Sequence, residues 1–195
     1  MTYNFFAYLS RLKNINRWSL MRNTQTENVK EHSFDVVMIA HALCMIENKV
    51  FGGNVNEDRV IKLAIYHEAG EVFTGDIPTP IKYFNPKIIS AFKNVEDECL
   101  EKLIKMLPEE LREEFTSILF HENDEDYIYV KAADRICAYI KCIEEIKQGN
   151  YEFEKAKNST ENKLANMNLK CVRYFMENFV GAYALSLDEL TGDNT

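Results

Sequence analysis

The stretch EHSFDVVMIAHALCMIEN, residues 31–48, decides the fold class. Val36, Val37, Ala40, Leu43 and Met45 fall at helical spacing, which predicts an amphipathic helix with one face against a core. Gly52-Gly53-Asn54 then breaks the chain. The same period continues outward in both directions. Phe6, Leu9 and Leu12 predict a first helix over 5–12. A third is expected over 56–73, ending before Gly75, and later ones over 86–106, 109–120, 127–148 and 153–178. Gly75-Asp76-Ile77-Pro78-Thr79-Pro80 is not expected to be regular helix, because each proline restricts itself and its predecessor. No segment predicts a strand. The expectation is an all-α, compact helical bundle, with residues 1–195 forming a single domain.

Bulk composition narrows the function. Hydrophobic residues at 46% and charged residues at 28% are ordinary globular values, and 7 Gly with 4 Pro are too few for a loop-rich sandwich or barrel. The net charge of -8, with no dense basic run, argues against a nucleic-acid polymer as partner. One or two placed cations would still suffice for a small phosphate. The odd number of cysteines (Cys44, Cys99, Cys137, Cys142, Cys171) shows no metal-knuckle spacing and predicts reduced, helix-packed thiols. Arg11, Lys13 and Arg17 interrupt the first twenty residues, which are therefore no signal peptide, and the near-apolar run 36–46 is too short to span a bilayer. A cytoplasmic location is expected.

Three polar residues sit where helical spacing predicts apolar surroundings. Asp134 lies within one turn of Val130, Cys137 and Ala138, where a carboxylate is costly unless paired or coordinated. Taken alone it is explained by a salt bridge to Lys131 or Arg135. His32 shares a face with Val36 and Ile39 and, alone, is explained as a hydrogen-bonded core histidine. His67 opens His67-Glu68-Ala69-Gly70-Glu71, where helical spacing sets His67 and Glu71 on one face beside the Gly-Pro loop. Two histidines with carboxylates would suit Mn, Co, Fe, Zn or Ni rather than Ca. His41 is expected in the core or an interface. His121 is expected to end a helix as a partly positive ring, followed by a solvated loop of Glu122, Asp124, Glu125 and Asp126.

Together these segments resemble the HD-domain phosphohydrolases, and within them the bacterial 5'-deoxynucleotidases. The likeness is carried by Phe5-Phe6-Ala7, Leu9-Ser10-Arg11-Leu12, Asn16-Arg17-Trp18, Thr26-Glu27-Asn28-Val29 and Glu31-His32-Ser33. It continues through Phe51-Gly52-Gly53-Asn54-Val55, Tyr66-His67, Glu71-Val72, Thr74-Gly75-Asp76, Pro78-Thr79-Pro80 and Lys82-Tyr83-Phe84-Asn85. Lys131, Ala133-Asp134 and Leu185-Ser186-Leu187-Asp188-Glu189 complete it. The pieces run in order along nearly the whole chain.

The resemblance implies one divalent metal, Co, Mn or similar, on His32, His67, residue 68 and Asp134. Glu68 stands where the family has its tandem aspartate. Its extra methylene must fold back or displace the ion, and a shift of ~1 Å at reacting groups can cost ~100-fold in rate. Metal binding is expected to be retained, with full activity less secure. The resemblance further implies that Arg17 grips the phosphate, that Trp18 walls the nucleoside, and that Asp76, Ile77, Pro78 and Thr79 line its pocket. His32, Glu68 and Asp134 would also meet substrate, and Glu71 and Asp76 are the candidates for handling the proton. Without that likeness, Arg17 is explained as a surface cation and Trp18 as a core anchor. The implied reaction turns a deoxyribonucleoside 5'-monophosphate into deoxynucleoside and phosphate, in a homodimer. Two rivals stand beside it. A non-catalytic nucleotide-binding protein would follow if Glu68 had silenced turnover. A zinc peptidase would need histidine at the fifth position of His67-Glu68-x-x-His, where Glu71 stands.

Overall fold

A computed structural model describes residues 2–82, 84–121 and 124–192; Tyr83 and Glu122 lie outside the described residues. The described residues form helices and turns with no strand, apart from an isolated antiparallel bridge between Asn16 and Asn28. The helices are α1 (Phe5–Leu9), α2 (Val29–Val50), α3 (Glu57–Tyr66), α4 (Glu71–Thr74), α5 (Thr79–Lys82) and α6 (Pro86–Lys105). There follow α7 (Glu109–Leu119), α8 (Tyr127–Lys147), α9 (Glu154–Ala165), α10 (Lys170–Asn178) and α11 (Leu187–Thr191).

α2 begins two residues before its expected start because Asn28 caps it. Asn28 Oδ1 accepts from Lys30 N and Glu31 N, and Glu31 returns a carboxylate to Asn28 N, so the donors a helix start leaves unmet are satisfied. Its inner face buries Val36, Ala40 and Leu43 completely, as the periodicity requires. Met45 and His41 correct that pattern: both are exposed, and His41 Nε2 lies 3.9 Å from Glu57. The stripe facing the core is narrower than the sequence spacing suggests. α8 packs against α2 through Val130, Ala133, Ile136 and Cys137. A second apolar cluster, of Phe5, Ala69, Leu100, Leu103, Leu107 and Leu119, joins α1 to α6 and α7.

The expected third helix stops at Tyr66 rather than running to residue 73. Leu63 and Ala64 belong to the first apolar cluster and Ala69 to the second, so the backbone turns where it crosses between them. Two tight three-residue hydrogen bonds mark the turn, Ala69 N to Tyr66 O and Glu71 N to Glu68 O, both 3.0 Å. Gly70 permits it: a Cβ there would stand 3.2 Å from Glu96 Cγ on α6. His67 and Glu68 sit on this crossing.

Three other boundaries differ from expectation. The first helix gives way to a tighter 3-10 turn over Ser10–Asn14. The span 153–178 is two helices, separated around Asn168, whose φ of 54° is left-handed. Residues 75–78 are non-helical as expected, but Thr79 and Pro80 open α5, where a missing N–H costs nothing. All five cysteines are free and buried. Among the described residues no helix is long and apolar enough to cross a membrane.

Candidate active site and metal centre

Four side chains from three parts of the chain converge. His32 lies in the first turn of α2 and is fully buried. His67 caps the end of α3, Glu68 follows it in the turn, and Asp134 projects from α8. One ligand atom from each lies within 4.8 Å of all the others. His67 Nδ1 is 2.8 Å from Ala64 O and can bond a carbonyl only by donating, which leaves Nε2 as a lone pair. That Nε2 is buried without a hydrogen-bond partner, and so is Nε2 of His32. The first lies 3.5 Å from Glu68 Oε1, the second 3.1 Å from Asp134 Oδ1 without hydrogen-bond geometry. Two orphaned imidazole nitrogens facing two carboxylates fit a borderline divalent cation.

Asp134 therefore pairs with His32, and at 3.7 Å with Arg17, rather than with Lys131 or Arg135. Burial alone would push its carboxyl up, but His32 and Arg17 outweigh that and hold it well below the usual range. Burial pushes His32 down to about 3, with the charge of Arg17 adding to the effect. Burial raises Glu68. It also pushes Glu71 up to about 10, helped by repulsion from Glu68 and Asp76. Acids thus crowd this centre against few cations, and a metal ion would relieve the imbalance.

Arg17 Nη1 reaches both Glu27 Oε2 and His32 Nδ1 at 2.8 Å. It is no surface cation. Trp18 holds a left-handed backbone, φ 58°, and its N donates to Asp76 Oδ2 at 3.3 Å. Its indole packs on Phe153 at 5.3 Å, yet Nε1 is buried without a partner. An open cleft of about 570 Å³ runs from His67, Glu68 and Asp134 past Lys82, Phe92, His121 and Lys131. Arg17, Trp18, Glu71, Asp76, Ile77, Pro78 and Thr79 do not line it; α6 supplies one wall, a helix to which sequence reasoning gave no role. His121 corrects its expected charge. Burial lowers its proton affinity, and its ring lies 3.6 Å from that of Tyr127.

The segment carrying Arg17 and Trp18 has a support that sequence reasoning missed. Lys141 and Glu145 of α8 form a buried ion pair, 2.6 Å apart and 6% and 1% exposed, which bonds to residues 24 and 25. The pair looks like an ordinary solvated helix pair. A signal was present all the same, since Asp134, Lys141 and Glu145 fall on one helical stripe.

The family described as 5'-deoxynucleotidase YfbR-like matches residues 4–183. The 5'-deoxynucleotidase YfbR of Shigella dysenteriae serotype 1 is 52% identical over 193 residues, 98% of this chain and 97% of that one. A 5'-deoxynucleotidase of Yersinia pseudotuberculosis serotype I is likewise 52% identical, covering 98% of each chain. Among solved structures, an HD-domain phosphohydrolase from Listeria innocua superposes with a TM-score of 0.83 at 24% identity, over 96% of this chain and 92% of that one. The cyanophage S-2L HD phosphohydrolase DatZ, bound to dA and one catalytic Zn2+ ion, gives 0.60 at 15% identity, over 93% and 99%. At such identities these two structures speak for a shared fold.

Proposed function

Because the chain belongs to the 5'-deoxynucleotidase YfbR-like family, we propose that it hydrolyses deoxyribonucleoside 5'-monophosphates to deoxynucleoside and phosphate. Its all-α fold is that of the HD-domain phosphohydrolases. The observation that carries the reading is the cluster of His32, His67, Glu68 and Asp134, with two unpartnered Nε2 atoms beside the buried Arg17. These four residues would hold one divalent cation, Co, Mn or a similar ion. A bound cation would polarise the phosphate and lower the pKa of a water. Arg17 supplies a planar donor fork to the phosphoryl oxygens. Glu71, whose proton burial holds in the metal-free chain, is the candidate to protonate the departing 5'-oxygen. The sugar is assigned to the Trp18 side of Arg17, where Asp76 is tied to the Trp18 backbone; Ile77, Pro78 and Thr79, which do not line the cleft, are given no contact with it.

Phosphate release from paired deoxyribo- and ribonucleoside monophosphates, with Co2+, Mn2+ and Zn2+ in turn, tests this. Binding of dAMP without release under any metal would make the protein a nucleotide binder. We read residues 1–195 as one domain, cytoplasmic in keeping with five free thiols. A homodimer is supported by the outer face of α2, where Phe34 and Met38 are 65% and 50% exposed.

Glu68 reaches the cluster through its longer arm, which favours a site adapted to glutamate. Glu68→Asp should therefore withdraw the ligand atom and lower metal affinity and turnover together, by roughly 10-fold or more. A gain in both would show that glutamate compromises the site. No change would remove Glu68 from the ligand set.

Glu71 keeps its proton in the folded chain up to about 10, whereas the unfolded chain loses it near the ordinary carboxyl value. The fold thus loses stability as pH rises across that window. Glu71→Gln should raise the Tm of the metal-free protein, by more at about pH 8 than at about pH 5, while lowering turnover. Equal shifts at both would mean that Glu71 is ionised in the fold.

A further inference from the structure

We propose that the buried Lys141–Glu145 pair is a positioning device for Arg17 and Trp18, setting where the phosphate-gripping segment stands without touching substrate. Residues 16–28 contain no helix or strand of their own. The segment closes on itself at its base, where Arg17 N donates to Glu27 O and Val29 N to Ile15 O, both 2.9 Å. Its far end is held from α8. Glu145 Oε2 accepts from Thr24 N, Thr24 Oγ1 and Asn150 Nδ2, each at 2.8 Å. Glu145 Oε1 accepts from Gln25 N at 3.3 Å and from Lys141 Nζ at 2.6 Å. Lys141 Nζ donates a second bond to Gln25 O at 2.6 Å, and Asn150 Nδ2 reaches Arg22 O at 2.6 Å.

Filling space does not require this arrangement. Apolar residues of similar volume commonly replace a buried ion pair without loss of stability. What they lack is bonds that fix a neighbouring backbone in register, and this pair directs most of its bonds to the segment. The segment also contains a conformation that needs holding: Trp18 is left-handed, and such backbone persists only where its surroundings over-determine it. Asp134 lies two turns before Lys141 on the same helix, about 10 Å along its axis. One rigid element therefore supports both a metal ligand and the segment that carries Arg17.

The activity arm of the test rests on the phosphohydrolase reading, but the spectroscopic arm does not. Trp18 is the sole tryptophan, so its emission reports the segment's position without turnover. The double variant Lys141→Met/Glu145→Met removes both charges and leaves none stranded. Its Trp18 emission should shift to the red and quench more readily with acrylamide, with bound metal unchanged. Its kcat should fall roughly 10- to 100-fold, the usual cost of a misplacement of ~1 Å. In an Arg17→Ala background the same pair should cost less, because one of the two residues it positions is already gone. Unchanged emission with full activity would overturn the proposal, and so would an equal loss in both backgrounds. If the double variant does not fold, Thr24→Val, which deletes only one hydroxyl bond, should move emission and kcat in the same direction by less. Wild-type values there would equally overturn it.

Discussion

Asp134→Ala should leave the protein without stoichiometric metal and lower turnover by roughly 1000-fold or more, the kinetic equivalent of the several kcal/mol that a Lewis acid supplies. Alanine is the better helix former beside Ala132 and Ala133, but the change also takes from His32 and Arg17 the carboxylate they pair with, so the metal-free fold should lose some Tm. Metal content, and not Tm, carries the test. His32→Ala should lose metal equally, but it also empties a fully buried core position and so lowers Tm as well. Metal analysis beside thermal melts reads both quantities. Stoichiometric metal in the Asp134 variant would remove that residue from the centre.

Arg17→Ala should lower turnover by roughly 100- to 1000-fold, as loss of a preformed transition-state donor does, with metal content intact. The ground for intact metal lies in the tautomers of His32. Arg17 Nη1 is 2.8 Å from His32 Nδ1, which must then accept. A cation on His32 Nε2 would require the ring proton on Nδ1, where Arg17 has nothing to donate to. A metal on His32 Nε2 and this hydrogen bond would exclude one another, so a bound metal would not depend on Arg17. Arg17→Lys should recover only part of the loss, because lysine restores the charge without the fork. Wild-type rates in the alanine variant would leave Arg17 as a structural partner of Glu27.

The centre was legible where residue type and periodicity disagreed. His32 and Asp134 lie on faces that spacing assigns to the core, and His67 precedes a glycine-rich break, so their chemistry stood out. Their partners did not. Asp134 reads locally as a match for Lys131 or Arg135, because its true neighbours, His32 and Arg17, are reached only when α2, α8 and the segment before α2 pack together. The end of α3 at Tyr66 was hidden for a similar reason. Nothing between residues 56 and 73 disfavours helix strongly enough, and the turn is forced by two separate apolar clusters and by Glu96 close to Gly70. The capping box at Asn28 and Glu31 was readable from sequence rules and was missed by two residues. Lys141 and Glu145 were missed because an i,i+4 Lys–Glu pair signals solvent unless the stripe it shares with Asp134 is noticed.

Trp18 places two demands on one position. Its left-handed backbone, a strain of ~1 kcal/mol or more for a residue with a Cβ, would be relieved by glycine, which adopts that conformation freely. Its indole, with Nε1 buried and unmet, is the group we propose as the wall for the sugar, and glycine would delete it. Selection for a sturdier chain and selection for a discriminating one therefore pull this residue in opposite directions. A lineage relieved of its substrate would be free to drift at position 18 toward glycine or asparagine, and its loss of tryptophan would record the change of occupation before any ligand of the metal was lost.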